Sequence, residues 1–243
     1  MKARLAFLLA PLAWLALLTG AQAQLVGQSS PTQMTYALGS FKRIVLAGAA
    51  DVRLVQGEVN QLVIEGDAEV QKRVEVDLNG GSLRIEPAGG WKFWNSRRTL
   101  VLITARELDE INIQGAGDVI ADGPLKLEQL TAKITGSGNL RINELQARRL
   151  AMHIVGSGDA KVTGTVQDLQ LTISGTGDFI GQRLRAERAK VSIAGVGDVS
   201  LWVTEDLVAR LSGAGSVRYW GNPHVHKSIS GVGSVTPARE QGP

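Results

Sequence analysis

The stretch TISGTGDFIG, residues 172–181, sets Gly175 and Gly177 either side of Thr176, with Asp178 directly after them. One such stretch would read as a tight turn. Here it recurs: Gly-x-Gly units begin at Gly115, Gly136, Gly156, Gly175, Gly195, Gly213 and Gly231, at intervals of 21, 20, 19, 20, 18 and 18 residues. Self-similarity at a fixed period is read before any local motif, because it points to stacked structural repeats. Two positions ahead of each first glycine stand Ile113, Ile134, Ile154, Ile173, Ile193, Leu211 and Ile229. Two positions after each second glycine stand Val119, Leu140, Ala160, Phe179, Val199, Val217 and Val235. A further apolar column runs through Leu130, Leu150, Leu169, Leu207 and Val225, and a mostly polar one through Lys133, His153, Thr172, Ser192, Arg210 and Ser228. Apolar and polar positions therefore alternate with a period of two, as on a strand, with none of the three- and four-residue spacings of a helix.

Each unit reads as strand, Gly turn, strand and short connection, and no unit buries its apolar row alone. The fold class expected is all-β: a parallel β-helix of about 20-residue coils, spaced ~4.8 Å apart along the axis. An antiparallel sandwich also places strands at regular intervals, but it does not require the same residue at the same phase in every unit. Leu46, Gly48, Ala50, Asp51, Val52 and Leu54 repeat the unit with Ala for the second Gly. Strand-like runs then follow at 62–64, 74–78, 83–85 and 100–103, broken by turn residues such as Asn79-Gly80-Gly81. This stretch reads as an irregular N-terminal section continuous with the coils.

The repeated Gly-x-Gly-Asp does not match the phosphate-binding loops. A dinucleotide fingerprint requires a third glycine and a following helix, and a P-loop requires Gly-Lys-Ser/Thr; neither is present. Calcium-binding β-rolls use a nine-residue period, and here the acidic position holds Asp118, Asn139, Asp159, Asp178, Asp198, Ser216 and Ser234. Asp, Asn and Ser share the ability to bond a nearby backbone N–H, so the unit reads as a structural turn. Its residues are Gly115, Gly117 and Asp118; Gly136, Gly138 and Asn139; Gly156, Gly158 and Asp159; and Gly175, Gly177 and Asp178. Gly195, Gly197 and Asp198 follow, then Gly213 and Gly215, and Gly231 and Gly233. The glycines are expected to supply positive φ at a corner where a Cβ would strike the next coil. Stacking brings Asp159, Asp178 and Asp198 close together, so their carboxylates must point outward, bond backbone donors or collect a cation.

Residues 1–23 read as a secretory signal peptide: Lys2 and Arg4 precede an apolar run from Leu5 to Leu18, and Ala21-Gln22-Ala23 closes it with a cleavage site. Residues 24–39 form a partly disordered segment, 40–236 the β-helix domain and 237–243 a tail. Losing Lys2 and Arg4 leaves 24 basic against 23 acidic residues, which gives no basic stripe for nucleic acid. The chain has no Cys, so thiol chemistry, disulfides and Cys-ligated metals are excluded.

GGWKFWNSRR, residues 89–98, departs furthest from the repeat. Trp91, Phe93 and Trp94 among Lys92, Arg97 and Arg98 form a candidate binding loop, or else a cap over an open end of the core. Trp202 and Trp220 share an outward phase in adjacent coils. His224 and His226 lie on one strand face but lack a nearby third ligand for a metal. No catalytic residue, metal or cofactor is assigned. The near-constant period leaves no room for the long loops that wall the groove of a β-helix enzyme.

A signal peptide followed by FKRIVLAGAADVRLVQG (41–57), LVIEGD, SLRIEP, LDEINIQGAGDV and repeated GSGN, GSGD and GTGD units resembles the family called putative auto-transporter adhesin, head GIN domain. The resemblance covers about residues 40–236. It implies a right-handed parallel β-helix of the pectin-lyase-like kind and a bacterial exported protein, and it carries over no catalytic residues. The expected function is a non-enzymatic adhesin or envelope-binding module, in the periplasm or at the surface of a Gram-negative cell. A surface glycan or envelope protein is the expected partner. The alternatives are a carbohydrate-active enzyme and a structural protein that self-associates through its terminal coils.

Overall fold

The structure is a computed structural model that describes residues 27–89 and 99–238. Residues 1–26, which include the expected signal peptide, 90–98, which include the expected binding residues, and 239–243 lie outside the described residues. The chain is nearly all strand and stacks in parallel coils as a β-solenoid of about six turns.

The regular part begins at β10 (Val119–Ile134) and continues through β11 (Leu140–Ile154), β12 (Ala160–Ile173), β13 (Phe179–Ile193) and β14 (Val199–Leu211). These pair in parallel, each on the next, so that Ile134, Ile154, Ile173, Ile193 and Leu211 stack in one row. All five are buried. Val119, Leu140, Ala160, Phe179 and Val199 form a second inner row, and Leu130, Leu150, Leu169, Ala189 and Leu207 a third. Each long strand bends between its inner rows. In β10 the register with β11 shifts between Ala121 and Pro124, where Gly123 and Pro124 turn the chain. Burial of an Ile side chain stabilises by roughly 1.5–3 kcal/mol, so a full row across the coils dominates the stability of each face. Local volume is matched as well. Phe179 follows Ala160 in its row, and a Cβ on Gly181 would come within 3.0 Å of the Phe179 ring.

The corner glycines are required by packing rather than by backbone conformation. A Cβ on Gly136, Gly156, Gly175 or Gly195 would fall within 3.0 Å of the carbonyl oxygen of the corresponding glycine one coil earlier. The expected positive φ is absent at these corners; of the Gly-x-Gly residues only Gly215 has one, at 155°. Stacking at β-sheet spacing leaves no volume for a side chain there, whatever the dihedrals.

The N-terminal section departs from chain order. β3 (Arg43–Leu46) pairs in parallel with β7 (Ser82–Pro87) on one side and with β9 (Glu110–Ile113) on the other. β4 (Asp51–Gln56) lies in the same way between β8 (Leu100–Ala105) and β10. The turn formed first in the sequence is thus inserted between the second and the third. Beyond it, β5 (Gln61–Glu65) runs antiparallel along β8, β2 (Gln33–Ala37) along β5, and β1 (Gly27–Ser29) along β2. β6 (Val74–Asn79) pairs antiparallel with β7. These antiparallel strands, with Met34, Tyr36, Val76 and Leu78 packed on the core, close the N-terminal end. The segment expected to be partly disordered therefore contributes two strands to this closure. One short helix, α1 (Ala68–Gln71), is capped by Asp67, whose Oδ1 accepts the N–H groups of Glu69 and Val70.

At the other end, β15 (Ala214–Trp220), β16 (His224–Ile229) and β17 (Val232–Pro237) complete the last coil. β16 pairs with β14 and β17 with β15, and neither has a second strand partner among the described residues. Ile229 is 40% exposed and Val232 79%. Lys227 occupies the inner row of Ala132, Met152, Leu171, Val191 and Ala209, yet it is exposed because no coil covers it.

Candidate functional site

Two features stand out on the exterior: a ladder along the Gly corner, and a cavity where the N-terminal section meets the regular coils.

The ladder is built from the acidic position of each unit. Asp118 Oδ1 accepts the backbone N–H of Asn139 at 2.8 Å, and Asn139 Oδ1 that of Asp159 at 2.9 Å. Asp159 Oδ1 then accepts from Asp178 at 2.8 Å, and Asp178 Oδ1 from Asp198 at 2.7 Å. Asp198 Oδ1 takes both the N–H and the Oγ–H of Ser216. In the other direction, the carbonyls of Asn139, Asp159, Asp178 and Asp198 accept the N–H that follows the ladder residue of the coil before. One oxygen of each side chain thus satisfies a backbone donor at the corner, where strand pairing lapses. Asn serves as well as Asp, and Ser ends the row. Among the described residues, no three His, Cys, Asp or Glu side chains converge to hold a metal.

The cavity follows from the inserted turn. β7, β3 and β9 lie side by side and parallel, but the chain reaches them from three directions: by the hairpin turn Gly80-Gly81, by Gly39–Lys42, and by Arg106–Asp109. The diverging segments leave an opening of about 570 Å³. Its floor is a run of backbone hydrogen bonds from Lys42 N–H to Gly81 O, Asp109 N–H to Lys42 O, and Thr131 N–H to Asp109 O. Asn60 pins the rim, accepting from the Arg106 N–H at 3.0 Å and donating to Gly39 O at 3.1 Å. Arg43 donates to Gly80 O at 2.7 Å. Gly80 and Gly81 both have positive φ, 55° and 72°, and open space where a Cβ would stand, so the hairpin turn presents bare backbone to the opening.

The charges here are partly neutralised. Lys42 Nζ meets Glu107 at 2.8 Å and Lys133 Nζ meets Glu110 at 2.9 Å. The hydrogen bond and charge of Glu107, then the charge of Asp109, raise Lys42 above its ordinary range. The hydrogen bond and charge of Lys42 lower Glu107, and Arg106 adds to the effect. Glu107 therefore stays ionised near neutrality and is a poor proton donor. Arg106, Ser40, Thr131 and Gln129 line the cavity, and their side chains make no hydrogen bond among the described residues.

The binding residues expected from sequence, Trp91, Phe93, Trp94, Arg97 and Arg98, lie outside the described residues. Trp202 and Trp220 are register partners in adjacent coils and partly exposed, and the buried Trp220 indole N–H has no acceptor among the described residues. His224 and His226 are exposed on β16, in register with Asp206 and Val208. The cavity residues escaped sequence reasoning because they are drawn from five separate stretches; the visible signal was the Asn79-Gly80-Gly81 turn inside a region that had lost the period.

Residues 40–223 match the family described as putative auto-transporter adhesin, head GIN domain. No curated protein matches the chain. Among solved structures, a putative adhesin from Bacteroides fragilis is 27% identical with a TM-score of 0.79, covering 89% of this chain and 98% of its own. A putative adhesin from Parabacteroides merdae is 20% identical with a TM-score of 0.69, covering 86% of this chain and 96% of its own. A putative lipid binding protein from Parabacteroides distasonis is 23% identical with a TM-score of 0.64, covering 88% and 98%. The latter two likenesses extend to the fold alone.

Proposed function

The chain belongs to the putative auto-transporter adhesin, head GIN domain family, and from that premise we propose that it is an exported, non-enzymatic adhesive module of the cell envelope. The observation that carries this reading is the likeness to the Bacteroides fragilis putative adhesin over nearly the whole of both chains. A stack of coils sharing one core is rigid and offers polar side faces for lateral contact. The coil period varies only from 18 to 21 residues, so no loops rise from the regular coils to wall a reaction groove. In the cavity, Glu107 is lowered by its hydrogen bond to Lys42 and by the Lys42 charge, which makes it a poor proton donor. Export rests on the sequence of residues 1–23; among the described residues no helix is long and apolar enough to cross a membrane.

The test is adhesion of the purified protein to envelopes of its own and neighbouring bacteria, read as retained protein after washing. Retention above a heat-unfolded control is expected; equal retention would refute the reading. A Trp91/Phe93/Trp94→Ala variant in the same assay measures the contribution of that loop. N-terminal sequencing of exported material should begin at Gln24.

A further inference from the structure

The cavity at the N-terminal seam has a lining that selects among ligand classes. Phe41, its one large apolar lining side chain, is only 2% exposed, so an acyl chain would meet carbon atoms of polar residues and backbone rather than a continuous hydrophobic wall. Lys42, Arg43 and Arg106 are matched in the lining by Glu107, Asp109 and Glu110, so a ligand carrying several phosphates meets no excess of positive charge. A bare divalent cation lacks three converging acidic or imidazole ligands among the described residues. What remains open is a set of mixed donors and acceptors, the Ser40 and Thr131 hydroxyls and the Gln129 amide, beside the Arg106 guanidinium, whose charge acts on Glu107 but which makes no hydrogen bond among the described residues. A hydroxyl-rich ring both donates and accepts at each oxygen and suits such a wall. Among the described residues, Arg106 is the one cation of the lining whose side chain has no hydrogen-bond acceptor, and a guanidinium receives a carboxylate through two parallel hydrogen bonds. The volume, about 570 Å³, falls within the range of small-ligand pockets, roughly 300–1,000 Å³.

We propose that this cavity is a binding site for a sugar unit bearing a single carboxylate, presented on a cell-surface polysaccharide. Arg106 holds the carboxylate; Ser40, Gln129 and Thr131 bond the ring hydroxyls; Asn60 keeps the Arg106 backbone in place. The site rests on the adhesive reading above and gives it a ligand class.

Two probes test it by calorimetry: a glucuronate–N-acetylglucosamine tetrasaccharide and N-acetylneuraminyllactose, each beside its carboxyl methyl ester. The protein should bind at least one acid about tenfold more tightly than its ester. Arg106→Gln should abolish that preference, and Arg218→Gln, on a distant coil, should leave it intact. Circular dichroism melting of both variants should match the parent, which separates lost binding from lost fold. Equal affinity for acid and ester, an unaltered preference in Arg106→Gln, or no binding of either acid would overturn the site. Envelope adhesion measured on the same preparations separates the two readings: adhesion that persists in Arg106→Gln refutes the site alone, and its absence from the parent protein refutes the adhesive reading.

Discussion

Asp178 Oδ1 accepts the backbone N–H of Asp198 at 2.7 Å, one coil along, while the Asp178 N–H itself donates to Asp159 Oδ1 at 2.8 Å. Each ladder residue is therefore both roof and floor of a hydrogen bond, and the carboxylate is used as an oxygen acceptor rather than as a charge. Asp178→Ala should destabilise by about 1 kcal/mol, the net worth of one hydrogen bond at a partly solvated donor. Asp178→Asn keeps the acceptor and relieves repulsion from Asp159 and Asp198, so it should be neutral or slightly stabilising. Urea midpoints of the two variants separate these outcomes, and equal losses would show that charge, not the bond, matters.

Glycines of the same chain should differ sharply in their tolerance of a methyl group. Gly156→Ala places a Cβ within 3.0 Å of Gly136 O and should cost on the order of 3 kcal/mol. Gly123→Ala meets open space with no positive φ and should change stability by no more than about 0.5 kcal/mol. Thermal melting of the pair checks this. A tolerated Gly156→Ala would mean that the coils are not stacked directly.

The Lys42–Glu107 pair has a defined pH window. Glu107 is lowered, so its contribution is complete above its ordinary value of 4.5 and is lost as pH falls through the lower folded value. Lys42 is raised, so its share is complete below its ordinary 10.5 and is lost as pH rises through the higher folded value. Both groups are exposed, so salt should weaken the effect. Carboxyl NMR titration should show the Glu107 midpoint below 4.5 in the parent and moved upward in Lys42→Gln. An unmoved midpoint would remove the pair from the account of the seam.

The end of the stack carries its own stop. Lys227 follows Ala209 in an inner row that is otherwise apolar, and Pro237 follows Tyr219 on β17. An inward-pointing charge and a proline are devices that blunt an open strand edge. Lys227→Leu should therefore produce end-on dimers at concentrations where the parent stays monomeric, detected by sedimentation velocity. Association of the parent itself would support the self-associating alternative instead.

Much of this was legible in the sequence. The Ile134, Ile154 and Ile173 column and the Asp159–Asp178 spacing fix parallel, in-register coils, because a slip of one residue would turn the apolar row outward. The role of the corner glycines was half legible: the steric part was correct, whereas the dihedral part depends on how the chain bends, which composition does not encode. The insertion of β3 between β7 and β9 was not legible. Residues 43–46 announce a strand of the right pattern, but nothing local says which two distant strands will flank it. The cavity inherits that blindness, since Asn60, Gly80 and Arg106 meet only once the insertion is made.

That insertion bears on how the molecule assembles. A coil such as β12 can dock on a neighbour just completed, whereas the β3–β4 turn waits for partners on both flanks, the last of them beyond residue 110. Closing such long loops is the slow entropic step of folding. The opening segment thus acts as a seed whose completion sets the phase for every later rung, and damage there should delay maturation of the whole rod, whereas damage near β16 should loosen only its tip.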